Sequence, residues 1–210
     1  MVFGKESYRD ARTSSNRAAS ESSLRRRAPV PPSSRVVASR RMIDQVAAAL
    51  TPDHPFVGAV RDQVRHVYGE RLVSLALFGS VARRTARPGS DLDLFLVIEG
   101  LPHGRRARLE TFDPVERSLA TRMEALARAG VMVELSPVLR TPEDLRTPSP
   151  LLLDLTEDAV ILQDEGGVLR AALEDLRQRL RRLGSRRIWV GTRWYWDLKP
   201  DYRRGEIIRL

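Results

Sequence analysis

Two aspartates separated by one residue, Asp91 and Asp93, follow a Gly79-Ser80 pair by eleven positions. Side chains alternate along a β-strand, so Asp91 and Asp93 on one strand share a face, about 7 Å apart along the backbone. Leu92 and Leu94 then point the other way, into a core. Neighbouring carboxylates repel unless a cation lies between them, and Mg²⁺, hard and oxygen-seeking, suits that role. Gly79 ends an apolar run, where a missing side chain permits close backbone approach to a ligand. Ser80 opens a short helix as its N-cap, offering a hydroxyl and free N–H groups to an anion. An anion site beside paired carboxylates holds the parts for metal-assisted phosphoryl or nucleotidyl transfer. Such chemistry calls for a third acid from a neighbouring strand. Glu134 is the candidate, because a carboxylate inside the apolar run Val131-Met132-Val133-Glu134-Leu135 is costly unless paired or metal-bound.

These residues need strands and helices to hold them. Residues 72–78 (LVSLALF), 91–98 (DLDLFLVI) and 131–139 (VMVELSPVL) are apolar enough for buried strands, and 158–163 (DAVILQ) predicts a fourth. Helical spacing marks 42–50, 54–68, 113–129 and 167–183, with a short helix over roughly 80–86. Asp113 reads as an N-cap with Pro114 at the first position and Gly130 as a stop. Pro150 at a first helical position predicts a helix over 149–157. Leu169, Leu173, Leu176 and Leu180 form one face of the 167–183 helix, while the Arg run at 177–187 reads as its solvated side. Residues 187–210 crowd Trp189, Trp194, Tyr195, Trp196 and Tyr202 into a short stretch, read as an aromatic β-hairpin packed on the domain. The expected fold is α+β, a small mixed sheet flanked by helices. The chain divides into a disordered basic arm (1–40), a catalytic domain (41–165) and a C-terminal helix with hairpin (166–210).

Composition narrows the classes. With no Cys among 210 residues, disulfides, thiolate zinc sites and cysteine nucleophiles are excluded. No apolar run reaches the roughly 18 residues of a membrane span, and a cytoplasmic location is expected. Of the +9 net charge, residues 1–40 carry +6, from nine basic and three acidic residues. The high charge is mostly a property of that arm, whose Arg25-Arg26-Arg27 offers a contact for nucleic acid. His54, His66 and His103 lack ligand spacing and read as surface or capping residues.

Taken together, Gly79-Ser80, Asp91-Leu92-Asp93 and Glu134 resemble the signature of the DNA polymerase beta superfamily of nucleotidyltransferases, in particular its minimal nucleotidyltransferases. The resemblance spans roughly 70–165. It implies a polymerase beta-like fold and Mg²⁺-dependent transfer of a nucleoside monophosphate, with ATP as the first choice of nucleotide. It further implies two metal ions held by Asp91, Asp93 and Glu134, phosphates gripped by Gly79 and Ser80, and proton removal from the acceptor by Glu134. The acceptors it suggests are a hydroxyl on a partner protein, such as a HEPN-type toxin, a small molecule such as an aminoglycoside, or an RNA 3′ end. Arg84 departs from the pattern, since many relatives carry Gly there. The alternative reading is a non-catalytic module that binds nucleic acid or protein.

Overall fold

The computed structural model describes residues 50–210 apart from Pro88, Thr192 and Arg209. The predicted arm (1–40) and all but the last residue of the predicted 42–50 helix lie outside the described residues. The elements in chain order are α1 (Pro55–Tyr68), β1 (Leu72–Leu77), α2 (Gly79–Ala82), β2 (Leu92–Ile98), α3 (Arg105–Glu110), α4 (Asp113–Arg128), β3 (Leu135–Arg140), α5 (Pro150–Asp158), β4 (Val160–Asp164), α6 (Val168–Arg182), β5 (Arg186–Val190) and β6 (Arg193–Asp197).

The sheet has four strands in the order β3-β2-β1-β4. It is mixed: β1 runs antiparallel to β2 and β4, while β2 and β3 are parallel. The two central strands carry the longest apolar runs because both of their faces are covered. On one face Leu92, Leu94, Leu96 and Ile98 of β2 pack with Val60 and Val64 of α1 and with Val115 and Leu119 of α4. On the other, Ala76, Phe95 and Val97 meet Leu152 and Leu155 of α5 and the predicted leucine face of α6. The alternation therefore assigns Asp91 and Asp93 to the Phe95 and Val97 face. Buried Ser74 donates to the Asp164 carboxylate at 2.6 Å, and that carboxylate also accepts from the Leu169 and Arg170 amides in the first turn of α6.

Several boundaries differ from expectation. β3 begins at Leu135, so Glu134 precedes the strand instead of lying within it. Val131 and Val133 still alternate inward, but β2 starts at Leu92 and offers no partner earlier than the Glu134 carbonyl. Similarly, Asp91 stands one residue outside β2 and only Asp93 lies on it. Phe112, not Asp113, caps α4, and Phe78, not Ser80, precedes α2. The helix α3 had no strong periodic signal. It is tied down from outside, by the Arg108 guanidinium bonding Asp144 at 2.5 Å and the Pro102 carbonyl at 3.0 Å. By contrast, His54 caps α1 through Nδ1, which accepts from the Phe56 amide at 3.1 Å.

Burial would push the Asp144 carboxyl up, but hydrogen bonds from the Thr141 amide and Arg108, with the charges of Arg108 and Arg140, hold it below the usual carboxylate range. A carboxyl depressed in the folded state stabilises the fold above its unfolded value and loses that contribution as pH falls. Asp144→Asn should therefore lower the melting temperature at about pH 7, with the deficit shrinking toward about pH 3. Melting curves of both proteins across that range check this.

Candidate active site

The turn from β1 into α2 is built around Gly79. Its φ of +70° belongs to the left-handed region, and a Cβ there would lie 1.9 Å from the Asp93 Oδ2. The Phe78 amide also donates to the Asp93 carbonyl at 3.1 Å. The missing side chain is thus what lets the Asp93 carboxylate lie against the start of α2. Ser80, half-buried, sits in the first turn, its carbonyl accepting from the Thr85 amide at 2.9 Å. Gly79→Ala combines a collision at Asp93 with left-handed strain of roughly 1–2 kcal/mol. We expect a folded protein whose transfer activity is nearly lost, checked by a melting curve and a turnover assay on the same preparation.

Arg84 also has positive φ, +58°, alone among the described non-glycine residues. Glycine adopts such a conformation without strain, whereas an arginine does not. The Arg84 side chain is largely exposed and pairs with exposed Asp53 at 2.8 Å.

The parallel register pairs Leu92 with Leu135 and Asp93 with Ser136. The residues just before the strands, Asp91 and Glu134, therefore lie side by side, joined by the Leu92 amide donating to the Glu134 carbonyl at 2.8 Å. Val133 and Leu135 pack into the α1 and α4 core. By alternation Glu134 belongs to the opposite face, that of Asp93. The three predicted acids thus share a face and one end of the sheet. Asp91 and Glu134 are exposed and Asp93 is half-buried. Among the described residues no three His, Cys, Asp or Glu side chains form a ready ligand group. The donor set itself, carboxylate oxygens beside a glycine cradle, suits a hard divalent cation.

On the β4 side of the sheet, the hairpin closes on α2 through charges that sequence reasoning missed. Asp158, with 7% of its side chain exposed, accepts from Arg83 at 3.1 Å and from both terminal nitrogens of Arg187 at 2.9 and 3.1 Å. Arg187 was read as part of a solvated run, yet its side chain is only 16% exposed. Asp154, one helical turn earlier, accepts from the indole N–H groups of Trp194 and Trp196 at 2.7 and 3.0 Å. Two acids four apart in the apolar segment 149–158 were the available signal, since they share one side of a helix.

A family model described as a nucleotidyltransferase domain matches residues 58–162, half of the chain. The chain belongs to this nucleotidyltransferase family. The match runs from α1 through β4 and takes in Gly79, Ser80, Asp91, Asp93 and Glu134, while the hairpin lies beyond it. A Methanocaldococcus jannaschii protein named for protein adenylyltransferase activity is 30% identical over 118 residues, covering 55% of this nucleotidyltransferase and 75% of that protein. Among solved structures, a toxin–antitoxin with AMP-PNP aligns over 60% of this chain and 89% of its own, at 18% identity and a TM-score of 0.39. The toxin–antitoxin MntA-HepT aligns over 61% and 86%, at 17% identity and a TM-score of 0.33. No helix among the described residues is long and apolar enough to cross a membrane.

Proposed function

We propose that this nucleotidyltransferase moves AMP from ATP to a side-chain hydroxyl of a partner protein in the cytoplasm. The observation that carries the reading is the contact of Asp93 with Gly79, which joins the carboxylate strand to the phosphate-binding turn. Asp91, Asp93 and Glu134 would hold Mg²⁺, as two ions. A metal bound there would supply charge neutralisation for phosphoryl oxygens. The Gly79 turn and the Ser80 hydroxyl hold the β- and γ-phosphates. Glu134 takes the proton of the acceptor hydroxyl as its oxygen bonds to the α-phosphorus. The bond from that phosphorus to the β-phosphate oxygen breaks, and pyrophosphate leaves. The name of the M. jannaschii relative supports a protein acceptor.

The test is incubation of the full chain with Mg²⁺ and each α-labelled nucleoside triphosphate in turn. Acceptors are a HEPN-type protein from a neighbouring gene, an RNA with a free 3′ end, and an aminoglycoside. Label should appear on the protein, most strongly from ATP, and disappear with a chelator. Label confined to RNA or aminoglycoside overturns the protein acceptor; no label on any of them favours the non-catalytic binding module.

A further inference from the structure

A cleft of about 920 Å³ opens between α2 with its following turn and the hairpin. Its walls include Ala82, Arg83 and Arg87 on one side, Glu157 below, and Trp189 and Trp194 opposite. Trp189 is 51% exposed, unusual for so large an aromatic in a short hairpin. Its ring lies 4.9 Å from that of Trp194. Trp194 is itself held by Asp154 and by the Arg83 and Arg187 guanidinium groups, at 5.0 and 5.3 Å from its ring. Arg187 also lies 5.3 Å from the Trp189 ring. Asp158 in turn fixes both arginines. The exposed indole is thus braced from behind, as a stacking surface must be to bind without an ordering cost.

The remaining wall groups have complementary chemistry. Arg87 and Glu157 are exposed and make no ion pair among the described residues. A guanidinium suits an anionic phosphate, a carboxylate can accept from an exocyclic amine, and an indole stacks on any flat base. Ala82 and Arg83 follow Ser80 by two and three residues. The wall of the cleft formed by Ala82 and Arg83 is thus the far end of the same short helix whose first turn holds Ser80. The cleft is open to solvent on one side, with room for a flat base against the indole.

We propose that this cleft holds the base of the nucleoside triphosphate, stacked on Trp189, so that the hairpin beyond the matched residues 58–162 is a nucleotide-recognition element. This rests on the nucleotidyltransferase reading of the Ser80 site.

The test is titration calorimetry of the full chain with Mg²⁺, using α,β-methylene ATP and, separately, inorganic tripolyphosphate. Wild-type protein should bind the nucleotide more tightly than tripolyphosphate. Trp189→Ala should weaken the nucleotide by roughly tenfold and leave tripolyphosphate unchanged, while Trp189→Phe retains most of the affinity. An unchanged nucleotide affinity in Trp189→Ala overturns the proposal, as does an equal loss for both ligands, which marks a structural role. Loss confined to a single-stranded RNA oligonucleotide also overturns it and assigns the cleft to an acceptor. If wild-type protein binds tripolyphosphate but gains nothing from the nucleoside, only the base site falls. If it binds neither ligand, the phosphate site of the proposed function falls with it.

Discussion

Asp93→Asn protein should fold normally and transfer no nucleotide above background, and Asp91→Asn should behave alike. Each change keeps the shape of the side chain and removes one negative charge from the sheet end where both residues stand. A metal at such a site contributes several kcal/mol of charge stabilisation in the transition state, and a tenfold rate change corresponds to about 1.4 kcal/mol. Losing one carboxylate should therefore slow transfer on the order of a thousandfold. Stability should hold, because the core packing of β2 comes from Leu92, Leu94, Phe95, Leu96, Val97 and Ile98, all buried. The measurement is initial rate of labelled AMP transfer beside a thermal melt. Either asparagine variant keeping wild-type rate would sink the two-carboxylate mechanism. A variant that unfolds would instead point to Asp93 as a structural partner of the α2 turn.

Removal of residues 186–210 should destabilise the protein by about 5 kcal/mol or more, taking burial of a large apolar side chain at roughly 1.5–3 kcal/mol. Trp196, Leu198, Ile208 and Leu210 pack over the core that contains Leu169, Leu173, Leu176 and Leu180 of α6. Without them that leucine face meets water. The deletion also takes Arg187 from the nearly buried Asp158, leaving it Arg83 alone, and both indole donors from Asp154, and a largely buried acid that loses donors adds a desolvation cost. For a domain of this size the melting temperature should fall by at least about 10 °C. An unchanged melting temperature would mean that the hairpin is an independent appendage. The single substitution Trp189→Ala, at an exposed position, should leave the melting temperature nearly unchanged, separating recognition by the hairpin from its role in packing.

Much of this architecture is written in local pattern. The leucine spacing at 169, 173, 176 and 180 can cover a core only as a helix. The Ser149-Pro150 start of α5 was equally legible, since Ser149 accepts from the Leu152 amide as an N-cap does. The nearness of Asp91, Asp93 and Glu134 at one end of the sheet was foreshadowed by the Asp-x-Asp spacing and by a lone acid in the apolar run 131–135. What escaped was whatever depends on a partner distant in sequence. The strand around Glu134 was read too long because hydrogen bonding ends where β2 ends, and the length of β2 is not written in residues 131–134. Helix α3 escaped because Asp144, from beyond β3, anchors it.

The residue types alone determined that this chain has a glycine turn after an apolar run, two carboxylates at the start of the next apolar run and an aromatic tail needing cover. Those features follow from side-chain chemistry and backbone period, which act over a few residues. Only the tertiary structure decided that the Gly79 turn lies against Asp93, that Glu134 stands beside Asp91, and that Arg187 turns inward to Asp158. Each depends on packing between segments 14 to 43 positions apart, and no short-range rule specifies which segments a folded sheet brings together.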